Sequence, residues 1–166
     1  VGTLVYLTSA ASSLKSYSIK AFGNNVTGIQ AKLVTVFAKF SLNSLVLDNN
    51  LVSNKASIIY LATPQNIVFS TPVFSKNTLL GNQGELGYPT SLVNCDRQTR
   101  CIFNSPQAFE NKLFYSATLI YAFDQAQVTF SFGSFYLNNL QYSGYLINGH
   151  TSALQLTDCQ FYQNDL

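Results

Sequence analysis

The chain has 166 residues, enough for one domain with a sizeable core. Only 10% of them are charged, against about 25% in ordinary soluble domains, and 14% are aromatic. A formal net charge of +2 is too small to imply a nucleic-acid or anionic-membrane partner, and no uninterrupted apolar run is long enough for a membrane span.

The polar remainder is rich in Asn, Gln, Ser and Thr, so the chain cannot rely on a charged surface for solubility. Such a composition suggests a rigid protein that is extracellular or embedded in an assembly. There is no initiator Met and no signal-peptide pattern, and Val1-Gly2-Thr3-Leu4 already reads as the middle of a repeat. The expectation is an internal fragment of a longer protein, or a mature chain with its ends removed.

Two short elements alternate along the chain. The first unit opens with Gly2-Thr3-Leu4-Val5 and reaches Phe22-Gly23-Asn24-Asn25. The second repeats this as Ala31-Lys32-Leu33-Val34 and Leu47-Asp48-Asn49-Asn50, the third as Ala56-Ser57-Ile58-Ile59 and Phe74-Ser75-Lys76-Asn77. A Gly-rich stretch, residues 81–87, delays the fourth unit, which reads Thr90-Ser91-Leu92-Val93 and then a degenerate Phe109-Glu110-Asn111-Lys112. The fifth and sixth units carry Ala117-Thr118-Leu119-Ile120 with Phe135-Tyr136-Leu137-Asn138, and Gly144-Tyr145-Leu146-Ile147 with Phe161-Tyr162-Gln163-Asn164. The leading residues of the second element, at 22, 47, 74, 109, 135 and 161, are spaced by 25, 27, 35, 26 and 26.

Two motifs locked in phase over six copies indicate a stacked repeat. Each unit holds short β-prone runs, such as Ile58-Ile59-Tyr60 and Asn66-Ile67-Val68-Phe69, between turn-forming residues. No unit can bury its own apolar face, but coils stacked at about 4.8 Å share one core. The predicted fold is therefore all-β, a right-handed parallel β-helix of about six coils with about 25–27 residues each, on the order of 25–30 Å long. The whole chain, 1–166, forms one segment, with an irregular insertion loop over 81–101.

Equivalent positions are expected to form files. Phe22, Leu47, Phe74, Phe109, Phe135 and Phe161 form a mostly aromatic one, and Asn25, Asn50, Asn77, Asn138 and Asn164 an amide ladder that Lys112 interrupts. Gly2, Ala31, Ala56, Thr90, Ala117 and Gly144 mark a tight turn, and Leu4, Leu33, Ile58, Leu92, Leu119 and Leu146 an aliphatic file. The adjacent Val5, Val34, Ile59, Val93, Ile120 and Ile147 should point outward by strict alternation, unless a bulge brings both files in.

The Phe-x-x-Asn element, paired with the small-residue-plus-aliphatic element, resembles the tandem motifs of β-helices of the polymorphic outer-membrane-protein type. Similar repeats occur in protist surface proteins. The resemblance covers essentially the whole chain, although the small-residue element lacks the Gly pair usual in that family. It implies a pectin-lyase-like superfold on an exported protein with adhesive or scaffolding roles. The rival solenoid is a leucine-rich repeat, which Leu42-x-x-Leu45-x-Leu47-x-x-Asn50 fits. Its second half-repeat would be helical, whereas Leu119-Ile120-Tyr121 is β-prone and uncapped.

Chemistry-bearing residues are sparse. Asp48, Asp124 and Asp158 fall at different points of their coils, and His150 sits alone in a turn. No phosphate loop, metal-spaced His/Cys set or nucleophile elbow is present, so no catalytic residue, metal or cofactor is expected. Cys95 and Cys101 either close a small disulfide loop or remain free thiols, with Arg97 and Arg100 inside that loop; Cys159 reads as a small core residue. Asn25-Val26-Thr27 is a glycosylation sequon, accidental if Asn25 belongs to the inward ladder.

Two functions compete at this point. The first is a structural or adhesive module whose open ends meet further coils or protein partners. The second is a carbohydrate-binding or -cleaving β-helix that stacks sugars on Tyr60, Tyr121, Tyr136, Tyr142 and Tyr162.

Overall fold

The computed structural model describes residues 3–7, 14–37, 40–82 and 89–166. The first coil comprises β1 (Thr3–Leu7), β2 (Leu14–Phe22) and β3 (Asn25–Thr27), and the second β4 (Lys32–Val36), β5 (Phe40–Asp48) and β6 (Leu51–Ser53). From the third coil onward the long middle strand splits in two: β7 (Ser57–Ala62), β8 (Asn66–Phe69), β9 (Val73–Ser75) and β10 (Thr78–Leu80). The fourth coil holds β11 (Ser91–Asp96), β12 (Arg100–Asn104), β13 (Gln107–Phe109) and β14 (Lys112–Phe114). The fifth holds β15 (Thr118–Ala122), β16 (Gln127–Ser131), β17 (Ser134–Tyr136) and β18 (Asn139–Gln141), and the sixth β19 (Tyr145–Gly149), β20 (Ala153–Thr157) and β21 (Gln160–Tyr162).

Each strand pairs in parallel with its equivalent one coil away. The result is three stacked sheets in a parallel β-solenoid. The first sheet runs β1-β4-β7-β11-β15-β19, so the chain completes about five turns between its first and last strands. The second sheet carries β2, β5 and the split pairs, and the third runs β3-β6-β10-β14-β18.

The stack is held by an amide ladder. Asn24, Asn50, Asn77, Asn111, Asn138 and Asn164 each bond the next through Nδ2 to Oδ1 at 2.8–2.9 Å, across steps of 26, 27, 34, 27 and 26 residues. In each pair the backbone N–H also donates to the same Oδ1, as in Asn50 to Asn77 at 3.0 Å. The residue before every rung has positive φ: Gly23, Asn49, Lys76, Glu110, Leu137 and Gln163, all between 53° and 60°. This left-handed step turns the chain from the second sheet to the third and aims the next side chain inward.

The ladder corrects two expected positions. Asn24, not Asn25, is the first rung, and Asn111 fills the place where Lys112 was expected to break the file. Correspondingly, the inward file is Ala21-Leu47-Phe74-Ala108-Phe135-Phe161. Phe22 pairs instead with Asp48, and Phe109 with Ser75 and Tyr136, on the opposite side of the strand. Strand alternation explains the displacement: in both coils an inward alanine sits one residue before an outward phenylalanine.

The interior is a single cluster to which every sheet contributes. Phe69, Phe103 and Phe130 stack with centroids 4.6 and 4.9 Å apart and rings within 11° of parallel, all fully buried. Both neighbouring aliphatic files of the first sheet are inside: Ile58 and Ile59, Leu92 and Val93, Leu119 and Ile120 all belong to the core. The register pairs Ser57 with Ser91 and Ile59 with Val93 and passes over Ile58 and Leu92, a local break in pairing that lets two consecutive side chains face in.

The expected irregular insertion over 81–101 does not extend past residue 90. Ser91–Asp96 and Arg100–Asn104 are regular strands in register with both neighbours, and residues 83–88 of the expected loop lie outside the described residues. Cys95 and Cys101 are bonded to each other, and both are fully buried. They stand in register with Leu61 and Ile67 on one side and with Ala122 and Val128 on the other. The disulfide thus replaces a contact between apolar side chains across a corner of the coil, and it does not tie off a protruding loop.

Candidate functional site

On the outer face of the first sheet, Lys32, Ser57, Tyr60 and Asn94 line one cavity. Here Gln30 and Lys55, on positive-φ corner residues of the second and third coils, face Arg97, on a positive-φ corner of the fourth. Between them lies a cavity of about 250 Å³, floored by Lys32, Ser57, Tyr60 and Asn94 and flanked by Phe37 and Pro89.

Its charges are arranged rather than scattered. The Lys32 ammonium lies 3.5 Å from the centre of the Tyr60 ring, and the Phe37 ring meets that ring edge-on at 6.4 Å. The Tyr60 hydroxyl donates to Asp96 Oδ2 at 2.5 Å, and the Arg97 backbone N–H donates to Asp96 Oδ1 at 2.7 Å. Burial lowers the Lys32 ammonium below the ordinary lysine value of 10.5; Asp96 works against that shift and Arg97 adds to it. The Asn94 side chain is buried, and its Oδ1 accepts no hydrogen bond. Lys32 and Arg97 therefore lie within electrostatic reach of Asp96, and Lys55 lines the same cavity.

The five tyrosines considered for sugar stacking do not converge. Tyr60 and Tyr121 are buried on the first sheet. Tyr136 stacks between Phe109 and Tyr162 at 5.3 and 5.1 Å along the outside of the second sheet, and Tyr142 stacks on Tyr115 at the corner leading into the first. His150 is exposed and lies against Phe123 at 5.5 Å. Asp48 accepts from the Ser75 hydroxyl at 2.6 Å, at the corner of the second and third sheets. It lies on a different face from Asp96.

A second surface is the sixth coil. Leu154, Leu156 and Phe161 are in register beneath Val128, Phe130 and Phe135, so they continue the inward files. They are nevertheless 45–47% exposed, where the residues above them are at most 1%. Asn25, which leads the sequon, is exposed together with Thr27 at the start of β3. Since Asn24 fills the ladder, the sequon stands on the surface, not in the core.

Sequence reading expected the ladder, left the Cys95–Cys101 bond open against free thiols, and missed the cavity. Lys32, Lys55, Asn94 and Arg97 are spread over more than two coils, and only the stacking register brings them together. Among the described residues no group of three or more His, Cys, Asp or Glu is placed to hold a metal ion, and no helix is long and apolar enough to cross a membrane.

These features define the chain as a parallel β-solenoid repeat protein with an asparagine ladder. No protein-family model, curated protein or solved structure matches it.

Proposed function

We propose that the chain is a non-catalytic structural or adhesive module of an exported or cell-surface protein, in the manner of the polymorphic outer-membrane-protein-type and protist surface β-helices that its motifs resemble. The observation that carries this reading is the unbroken register of the asparagine ladder and of the buried apolar files from coil to coil along all three sheets. A strand edge backed by Leu154, Leu156 and Phe161 is a template for another coil of the same pattern. A rod extended coil by coil provides stiffness and long flat faces without chemistry. The buried Cys95–Cys101 bond supports an oxidising compartment. The low charge fits a surface that partners cover.

Sedimentation of the isolated chain tests the proposal. End-to-end association that rises with concentration is expected, as is its loss in Leu154→Lys/Leu156→Lys. A well-ordered monomer at high concentration would overturn it.

The carbohydrate reading draws on the outward Phe109-Tyr136-Tyr162 stack, whose rings run along one line. Binding on a glycan array that is lost in Tyr136→Ala would favour it over the scaffold.

A further inference from the structure

A sequon whose asparagine is a rung of the ladder could carry no sugar. In this chain the rung is Asn24, whose Nδ2 and backbone N–H both donate to Asn50 Oδ1, at 2.9 and 3.0 Å. Asn25 follows it, and the burial of β3 shows strand alternation: Asn25 is exposed, Val26 lies in the core and Thr27 is exposed. The two residues that define an N-glycosylation acceptor are the amide and the hydroxyl two positions on. Here they share the outer face of the third sheet, with no proline between them.

Stacking of coils does not close this face. Asn25, Leu51, Thr78 and Lys112 are in register, one per coil. Lys112 is flanked by a paired strand on each side, at Thr78 and at Asn139, and is still exposed. A glycan on Asn25 extends away from the sheet, across the direction in which coils pair, and does not obstruct the edges of β3. The next coil holds Thr27 in place at the surface: its hydroxyl accepts from the Ser53 hydroxyl at 2.9 Å and from Asn54 Nδ2 at 3.1 Å. Phe22 and Ile29, three residues before Asn25 and four after it, are 55% and 70% exposed. A bulky, hydrated group rooted between them along the chain screens apolar surface that a chain with only 10% charged residues does little to offset.

We propose that Asn25 is an N-glycosylation site. In the transfer, Asn25 Nδ2 attacks the anomeric carbon of an oligosaccharide carried on a polyprenyl diphosphate. The new N–C bond replaces the C–O bond to the carrier, the polyprenyl diphosphate departs with the bonding electron pair, and the amide gives up one proton to solvent. The site rests on the exported reading above, because that donor belongs to the secretory pathway, whose oxidising interior also favours the Cys95–Cys101 bond.

The test is a tryptic map of the protein captured from its own cells with an antibody to this chain, with surface biotinylation of the same cells as a second readout. Peptide Ala21–Lys32 holds both Asn24 and Asn25. It is expected to be missing at its unmodified mass, and to return after peptide N-glycosidase treatment with Asn25 converted to aspartate and Asn24 unchanged. Asn25→Gln and Thr27→Ala, expressed in the same cells, should each abolish the glycan completely, the second while leaving the acceptor amide in place. In the unglycosylated chain made in bacteria, Asn25→Gln should leave the unfolding midpoint unchanged, because Asn25 is not a rung. Surface-labelled protein with an unmodified Ala21–Lys32 peptide would overturn the site and leave the exported reading standing. Protein neither labelled nor modified would overturn both. A fall in midpoint as large as that of Asn77→Ala would also overturn the site, by placing Asn25 in the ladder.

Discussion

Replacing Asn77 by alanine removes a rung at the middle of the ladder. The Asn77 side chain uses its full hydrogen-bonding capacity: Nδ2 donates to the Leu47 carbonyl at 2.7 Å and to Asn111 Oδ1 at 2.9 Å, and Oδ1 accepts from the Asn50 backbone N–H at 3.0 Å and from Asn50 Nδ2 at 2.9 Å. With Ala in its place two donors on Asn50, itself only 2% exposed, lose their acceptor. At about 1–3 kcal/mol for each buried unsatisfied donor, the loss is roughly 2–6 kcal/mol, a large share of a typical domain's stability. Asn24→Ala is the internal control. That side chain donates to the exposed Phe22 carbonyl and to Asn50 Oδ1, which keeps the Asn24 backbone N–H as a donor. Its loss should cost less than about 1 kcal/mol. Denaturant unfolding followed by circular dichroism, with hydrogen exchange at the Asn50 amide, measures both. If Asn77→Ala cost no more than Asn24→Ala, the ladder would not be what holds the coils in register.

Phe103→Ala, which empties the centre of the Phe69-Phe103-Phe130 stack, should destabilise by about 3–5 kcal/mol in the same unfolding assay, well above Phe132→Ala on the surface. Thiol titration of the unreduced, denatured chain should find Cys159 alone, and Cys95→Ala/Cys101→Ala should lower stability by about 2 kcal/mol, the chain-entropy value for so short a loop. Leu137 sits at φ 54° before a rung; Leu137→Gly should raise stability by about 0.5–1 kcal/mol, since relief of the left-handed penalty exceeds the entropy glycine adds to the unfolded chain. Because burial lowers Lys32 in the folded state, the charged side chain is a burden that is fully present below its folded value and relieved as pH rises toward 10.5. Among the described residues, Asp96, Arg97, Tyr60 and Lys55 are the charged and titratable groups near it. The melting temperature of the wild type relative to Lys32→Met should therefore increase between neutral and alkaline pH; a constant or falling difference would refute the burial argument.

How much of this was legible depends on which residues carry periodicity. Four coils place a large apolar residue three positions before the rung: Leu47, Phe74, Phe135 and Phe161. There the sequence pattern and the stacked file coincide. In the other two the inward residue is Ala21 or Ala108, and the larger Phe22 or Phe109 beside it draws the frame one position along. Gly23 before Asn24 was the available cue, because a left-handed step precedes every rung, but five of the six coils use other residues there. The paired aliphatics of the first sheet were ambiguous for a physical reason. Alternation sends Ile59 outward, and only the break in pairing at Ile58 brings both side chains into the core. The cavity was not legible at all. Its cations and its amide come from three coils, and no local spacing records which of them end up side by side.

Methyl–methyl nuclear Overhauser contacts among Val34, Ile59, Val93, Ile120 and Ile147 bear most directly on the parallel stacking. These residues are neighbours in register along the first sheet, each a full coil from the next in sequence. The account predicts an unbroken chain of contacts from Val34 to Ile147 in that order. Contacts confined to residues close in sequence, or linking these residues in any other order, would contradict it.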